Sequence, residues 1–206
     1  MILPFGFMYL MFLGIMTIGQ QILSSIIEEK NSRIIEVLLS AVSPLQLMTG
    51  KIIGLGGIGM TVMGFWALAA FLAAQYQQIN ISVSGGLLLC FLVYYVLGFL
   101  LFSAILAGIG SICNTLKETQ SLLTPIVLLM IIPMITWMEL TRSPDGLMAR
   151  VMSFIPPLTP MVMVLRLSAA PTIWWVEIAA SMIVLLAAVL ATIWAAGNSE
   201  QVSDRQ

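Results

Sequence analysis

Histidine is absent from the 206 residues, and charge of either sign is scarce. Without histidine there is no Ser-His or Cys-His nucleophile pair, and no His-ligated zinc or haem. Lys and Arg number 8 against 9 Asp and Glu, a net charge of −1, so no basic field exists for nucleic acid. Charged residues make up 8% of the chain, against roughly 25% in an average soluble domain. Such a chain cannot cover a water-facing surface with polar groups, which excludes an ordinary soluble enzyme. A hydrophobic share of 60% also excludes a disordered polypeptide. The two cysteines, Cys90 and Cys113, are too few for a disulfide framework. On one helix they would stand about 34 Å apart. No cofactor or metal is expected.

Apolar sequence is what the chain has in abundance; its mean hydropathy is +1.08. A membrane-crossing helix needs about 20 mainly apolar residues. Five stretches qualify, at about 2–23, 52–74, 86–110, 121–138 and 173–196. None has a Lys, Arg or Asp in its middle. The expected fold is therefore all-α: a polytopic membrane helix bundle of about five spans in one transmembrane domain, 1–206. The first stretch lacks the positive start and small-residue cleavage site of a signal peptide, and is read as a span. Five spans place the termini on opposite sides. Lys30, Arg33, Lys51, Lys117 and Arg205 fall on one side, and Arg142, Arg150 and Arg166 on the other. The positive-inside rule puts the first group in the cytoplasm. Residues 75–85 and 140–172 are then outside. Trp137, Trp174 and Trp175 cluster near the outer ends of the last two spans, as interfacial aromatics do.

The loop between the first two spans is unusually charged. Residues 25–40 hold five of the seventeen charges, Glu28, Glu29, Lys30, Arg33 and Glu36. Ile27, Ile34, Leu38 and Ala41 recur near helical spacing, and Glu29 precedes Arg33 by four, the favoured order for a pair on one helix face. This predicts an amphipathic helix on the membrane surface or against a partner. Ser43-Pro44-Leu45-Gln46 then reads as a capping box with proline at the first helical position. A short helix over about 44–49 should start there, ended by Gly50. A short capped helix projecting from a membrane domain is a knob that a soluble partner could grip.

The contiguous pattern Glu28-Glu29-Lys30, Arg33, Glu36-Val37-Leu38-Leu39-Ser40, Ser43-Pro44 and Gly50-Lys51 resembles the cytoplasmic loop of ABC-2 type exporter permeases, especially the sodium-exporter NatB-like branch. Ile155-Pro156-Pro157-Leu158-Thr159-Pro160 resembles the proline-rich outer segment before that family's last span. The resemblance covers roughly 2–196. It implies a multi-pass permease of the prokaryotic cytoplasmic (inner) membrane, with no ATP site of its own. It further implies an ABC ATP-binding subunit docked on residues 25–51 through Glu28, Glu29, Lys30, Arg33, Glu36, Ser43, Pro44 and Gln46, and a second permease chain as partner. Export of sodium or a small molecule is implied by analogy. The family pattern usually starts with an extra span and a large extracytoplasmic segment, and ends in a basic tail. This chain has neither, so a shortened permease or a fragment is expected.

Smaller signals fit this frame. The glycines of 54–59 lie inside an apolar span, with no preceding strand and no following Lys-Ser/Thr, so they are not a phosphate loop. Gly50 and Gly54, and Gly57 and Thr61, are four apart, the spacing of close helix packing. Thr115-Leu116-Lys117-Glu118 fits a capping box opening the fourth span. Pro125 and Pro133 interrupt that span, and Pro133 should kink it. Leu147–Ile155 can form one amphipathic helix, stopped by Pro156, Pro157 and Pro160; a re-entrant or surface-lying hairpin and outer gate fits this pattern, as does a plain interfacial loop. Glu139 and Glu177 are the only carboxylates touching spans, both near an outer end. A carboxylate at mid-membrane, the usual device of ion-coupled carriers, is missing. Any path is lined by Thr, Ser, Gln, Tyr and Met. The leading reading is the permease subunit of an ATP-driven exporter, not itself an enzyme. The alternative is an accessory or structural membrane protein without its own path.

Overall fold

The structure, a computed structural model, describes residues 2–31, 44–76, 85–113, 115–170 and 175–203. They form α1 (Ile2–Asn31), α2 (Pro44–Tyr76), α3 (Gly85–Ile112), α4 (Leu116–Arg142), α5 (Leu147–Ser153), α6 (Thr159–Ala169) and α7 (Trp175–Ser203). No strand occurs among the described residues. The all-α expectation holds, and its reason is the bilayer: a chain this apolar must satisfy every backbone N–H and C=O within its own segment. Four helices carry stretches long and apolar enough to cross a membrane: Leu3–Glu28, Gly85–Gly110, Lys117–Arg142 and Trp175–Trp194. The remaining expected span, 52–74, falls within α2. There the apolar stretch among the described residues is shorter, Ile53–Ala69.

Two local expectations change. The helix that opens at Pro44 does not end at Gly50; it runs on as one helix to Tyr76. An interior glycine costs about 1 kcal/mol against alanine, too little to stop a helix whose following residues are apolar and confined to lipid. Likewise α1 continues from the first span through Glu28, Glu29 and Lys30 without a break. The expected turn at 42–43 and the amphipathic segment around Arg33 and Glu36 lie outside the described residues. The fourth span opens as expected: Thr115 caps α4, its hydroxyl accepting from the Glu118 N–H at 3.3 Å. Both Pro125 and Pro133 lie within the continuous α4.

α1 is the centre of the bundle, packed against α2, α3, α4 and α6, while α3 also packs along α7. α3 runs parallel to α1, while α2 and α4 run antiparallel to it. Phe5 of α1 meets Trp137 of α4 at 5.0 Å between ring centres, so the start of α1 adjoins the end of α4. At the opposite end, Gly110 of α3 lies against Ile26 of α1. The core along α1 is Met8, Met11, Ile15, Ile18 and Ile22, spaced three or four residues apart on one face. The outward faces are apolar too: Leu128, Ile132 and Ile135 on α4, and Ile183, Leu186 and Leu190 on α7, are exposed. A water-soluble monomer rarely shows contiguous apolar patches beyond a few hundred Å². These faces meet lipid.

The hairpin before α7 is the largest departure from the sequence reading. α5 is short as expected, but the prolines that end it are followed by a second helix, α6, with Pro160 in its first turn. Proline is tolerated there because the first N–H groups of a helix have no intrahelical partner. Met161 to Arg166 are completely buried, wedged among α1, α3 and α4. With 11 residues, α6 is about 16 Å long, half of a hydrocarbon core of about 30 Å. Its start touches the middle of two spans, since Pro160 and Ile15 both lie against Gly98. The segment is thus re-entrant. Of the forms expected for 140–172, a re-entrant hairpin, a surface-lying one and a plain interfacial loop, the burial of α6 among α1, α3 and α4 fits the first.

Candidate functional site

Two features of the bundle carry polar chemistry. The first is a face of α1. Thr17, Gln20, Gln21, Ser24 and Glu28 recur at three- and four-residue spacing, and with Ser25 they line an open recess of about 440 Å³. Thr17, Gln20, Gln21 and Glu28 are exposed and Ser24 is half-buried. The same face borders a groove of about 190 Å³ between α1 and α2, walled by Leu10, Leu13, Ile18, Ile58, Val62, Met63 and Trp66, with Thr17 and Gln21 as its polar members. Below it three helices cross closely. A Cβ at Gly14 would meet Met63 and Tyr95 within 3 Å, and one at Gly59 would strike Ile18. Glycine at these two positions lets α1, α2 and α3 approach.

Exposed polar side chains on a span need not signal function. Thr124 and Thr136 on α4 donate to the carbonyls of Gln120 and Ile132, both at 2.9 Å, and so close their own hydrogen bonds. Thr61 on α2 does the same to Ile58 O at 2.7 Å. A glutamine amide has two donors and two acceptor sites, more than its own helix can satisfy. Moving an amide from water into hydrocarbon without partners costs about 2–7 kcal/mol. Adjacent Gln20 and Gln21, with Glu28 further along α1, therefore make a face that is costly to leave against lipid.

The second feature is a charged cluster at the hairpin end. Arg166 of α6 is completely buried. Its guanidinium donates to Pro144 O at 2.6 Å, Ser153 Oγ at 3.0 Å and Glu177 Oε2 at 2.7 Å, with Asp145 Oδ1 at 3.5 Å. Arg150 of α5 stands 3.4 Å from the other oxygen of Glu177. Glu177 itself lies in the first turn of α7, where the helix dipole favours negative charge. A buried ion pair is affordable only with its remaining donors satisfied, and here the Pro144 carbonyl and Ser153 hydroxyl do that.

The expected site residues separate accordingly. Glu28 sits at the end of the α1 polar face; Glu29 and Lys30 follow on the same helix, and Pro44 and Gln46 lie in the first turn of α2. Arg33, Glu36 and Ser43 are outside the described residues. Gly50, Gly54 and Gly57 have open space where a Cβ would stand, so within the chain the close contacts of α2 are made by Gly56 and Gly59 instead. Pro156 and Pro157 are half-buried at the hairpin tip, and Pro160 is buried against Gly98. The sequence reading missed the α1 stripe, although the spacing of Thr17, Gln20/Gln21, Ser24 and Glu28 could have revealed it. Arg166, counted from sequence as a loop charge, had no local signal of burial.

Bundle, re-entrant hairpin and lipid-facing surface define a multi-pass integral membrane protein. The chain belongs to the ABC-2 family of transporter proteins, whose family model matches residues 2–197. That match is consistent with an ABC-2 type permease. The chain is 36% identical to the uncharacterized protein MJ1024 of Methanocaldococcus jannaschii, over 81% of this chain and 41% of that protein. It is 27% identical to the uncharacterized protein YhaP of Bacillus subtilis, over 92% of this chain and 49% of that protein. The chain thus spans less than half the length of either relative. No solved structure matches it.

Proposed function

We propose that this chain forms part of the translocation path of an ATP-driven exporter, and that the polar face of α1 lines the path. The observation that carries this is the run Thr17, Gln20, Gln21, Ser24 and Glu28 along a membrane-crossing helix, exposed or half-buried beside an open recess. A second permease chain faces it across the path. Residues 25–51 lie in the cytoplasm of a prokaryotic cell and dock a separate ABC ATP-binding subunit through Glu28, Glu29, Lys30, Arg33, Glu36, Ser43, Pro44 and Gln46. Because α1 runs without a break from the polar face to Asn31, a push on the docked end is delivered along a rigid rod. The substrate is sodium or a small molecule, as the NatB-like loop implies. Residues 140–172 are external, and Pro156, Pro157 and Pro160 belong to the outer gate.

The test is a cysteine scan of positions 13–28, with Cys90 and Cys113 replaced, read with a water-soluble thiol reagent in membrane vesicles. Labelling should peak at 17, 20, 21, 24 and 28. Labelling no greater there than at Leu190, an exposed apolar position on α7, would show that lipid covers the face and would sink the reading.

A further inference from the structure

Arg166 ties together segments that otherwise touch little. α5 packs on α6, but α6 and α7 come close at few points along their backbones. The join between hairpin and α7 is instead electrostatic: the Arg166 Nη2–Glu177 Oε2 bond of 2.7 Å, with the Arg150–Glu177 contact of 3.4 Å beside it. Among the described residues, the side-chain polar anchors of the hairpin gather around Arg166. Its partners are Pro144 O, Asp145, Ser153 and, from α7, Glu177. The other end, around Pro160, is held by apolar contact with Ile15 and Gly98. At the tip the backbone closes on itself, with the N–H groups of Leu158 and Thr159 both donating to Ile155 O. Pro156 and Pro157 have no N–H to satisfy. The tip can therefore leave its seat without stranding a donor.

The charges also have somewhere to go. Glu177 has a second cation at hand, Arg150, whose side chain is half exposed. Arg166 has a second anion at hand, Asp145, whose side chain is 61% exposed and on the water side of the cluster. Both contacts are already made beside the Arg166–Glu177 bond, so loss of that bond frees α6 from α7 while each charge keeps a partner.

We propose that Arg166 is the positioning residue of a latch: paired with Glu177 it holds the re-entrant hairpin inserted among α1, α3 and α4, and release of that pair lets the hairpin withdraw. On the transport reading, on which only this consequence rests, withdrawal opens the hairpin end of the path.

The test measures labelling in membranes and uses no transport, so it fails independently of that reading. A reporter cysteine replaces Val162, completely buried in α6, in the full chain with Cys90 and Cys113 replaced. A control cysteine replaces Leu101, 1% exposed on α3. Both are titrated with an impermeant maleimide. Glu177→Gln keeps the shape of the partner but removes its charge, and should raise labelling at 162 by about tenfold or more, since it removes both ion pairs that join the hairpin to α7 and leaves Arg166 only the Asp145 ion pair within the hairpin. Labelling at 101 should stay unchanged. Arg166→Lys keeps the charge but cannot reach Pro144, Ser153 and Glu177 together, and should give a smaller rise at 162 alone. No rise at 162 in Glu177→Gln would overturn the latch, because apolar packing alone would then hold the hairpin. A rise at both 162 and 101 would overturn it too, because the pair would then support the whole bundle.

Discussion

Gly98→Ala is the substitution that most directly probes the seat of the re-entrant hairpin. A Cβ at Gly98 would stand 2.8 Å from Pro160 Cγ, 3.0 Å from Pro160 Cβ and 3.1 Å from Ile15 Cδ1. The Ile15 methyl can rotate away. The pyrrolidine ring cannot, so α3 and α6 must separate. Overpacking of this kind costs about 1–3 kcal/mol. Against it stands the gain of about 0.8–1 kcal/mol from replacing a helical glycine by alanine. The gain cancels when the comparison is Gly64→Ala, an exposed α2 position with nothing within 4 Å of a Cβ. Gly98→Ala should therefore be less stable than Gly64→Ala by about 1–3 kcal/mol, the overpacking cost alone. Reversible unfolding of the monomer in mixed micelles, followed by tryptophan fluorescence, measures this difference. Equal stability of the two variants would refute the close seating of Pro160 on α3.

Three further outcomes are expected. Tyr94→Phe should destabilise by about 0.5–1.5 kcal/mol, because the Tyr94 hydroxyl bonds Ser181 Oγ at 2.6 Å across α3 and α7; Tyr95→Phe, whose buried hydroxyl has no partner among the described residues, should be neutral or stabilising in the same unfolding assay. Gly54→Ile/Gly57→Ile should leave the monomer intact, since both positions open onto free space, yet weaken a dimer seen by light scattering if that face packs on a second chain; an unchanged dimer removes the face from the interface. Glu29→Ala/Arg33→Ala should leave membrane integration near normal and reduce co-purification of the ATP-binding subunit at physiological salt, whereas unchanged binding would exclude those two charges from the docking.

Four of the five expected spans were legible because hydropathy over about 20 residues is a bulk property that no neighbour can override. The Thr115 cap was legible because it needs only residues three apart. Gly50 misled because a glycine stops a helix only where the chain has somewhere better to go, and α2 leads straight into lipid. α6 was hidden for the opposite reason. Its 11 residues are too short for a span, follow two prolines and include a third, and what makes them a core helix is the wall of α1, α3 and α4 around them. Arg166 was hidden with it, since its partners Pro144, Ser153 and Glu177 lie 22, 13 and 11 residues away in sequence. The polar face of α1 was present in the sequence at helical spacing, but only the packing of Met8, Met11, Ile15, Ile18 and Ile22 on the other side shows which way it points.

The central claim is that the α1 face is a path driven from a separate ATPase. Labelling of Gln21→Cys by a water-soluble thiol reagent tests it most directly, in vesicles containing the full-length protein and its ATP-binding subunit, with and without ATP. The account predicts labelling in both conditions, at rates that differ severalfold when ATP is hydrolysed. Identical rates with and without ATP, beside active hydrolysis by the subunit, would contradict it.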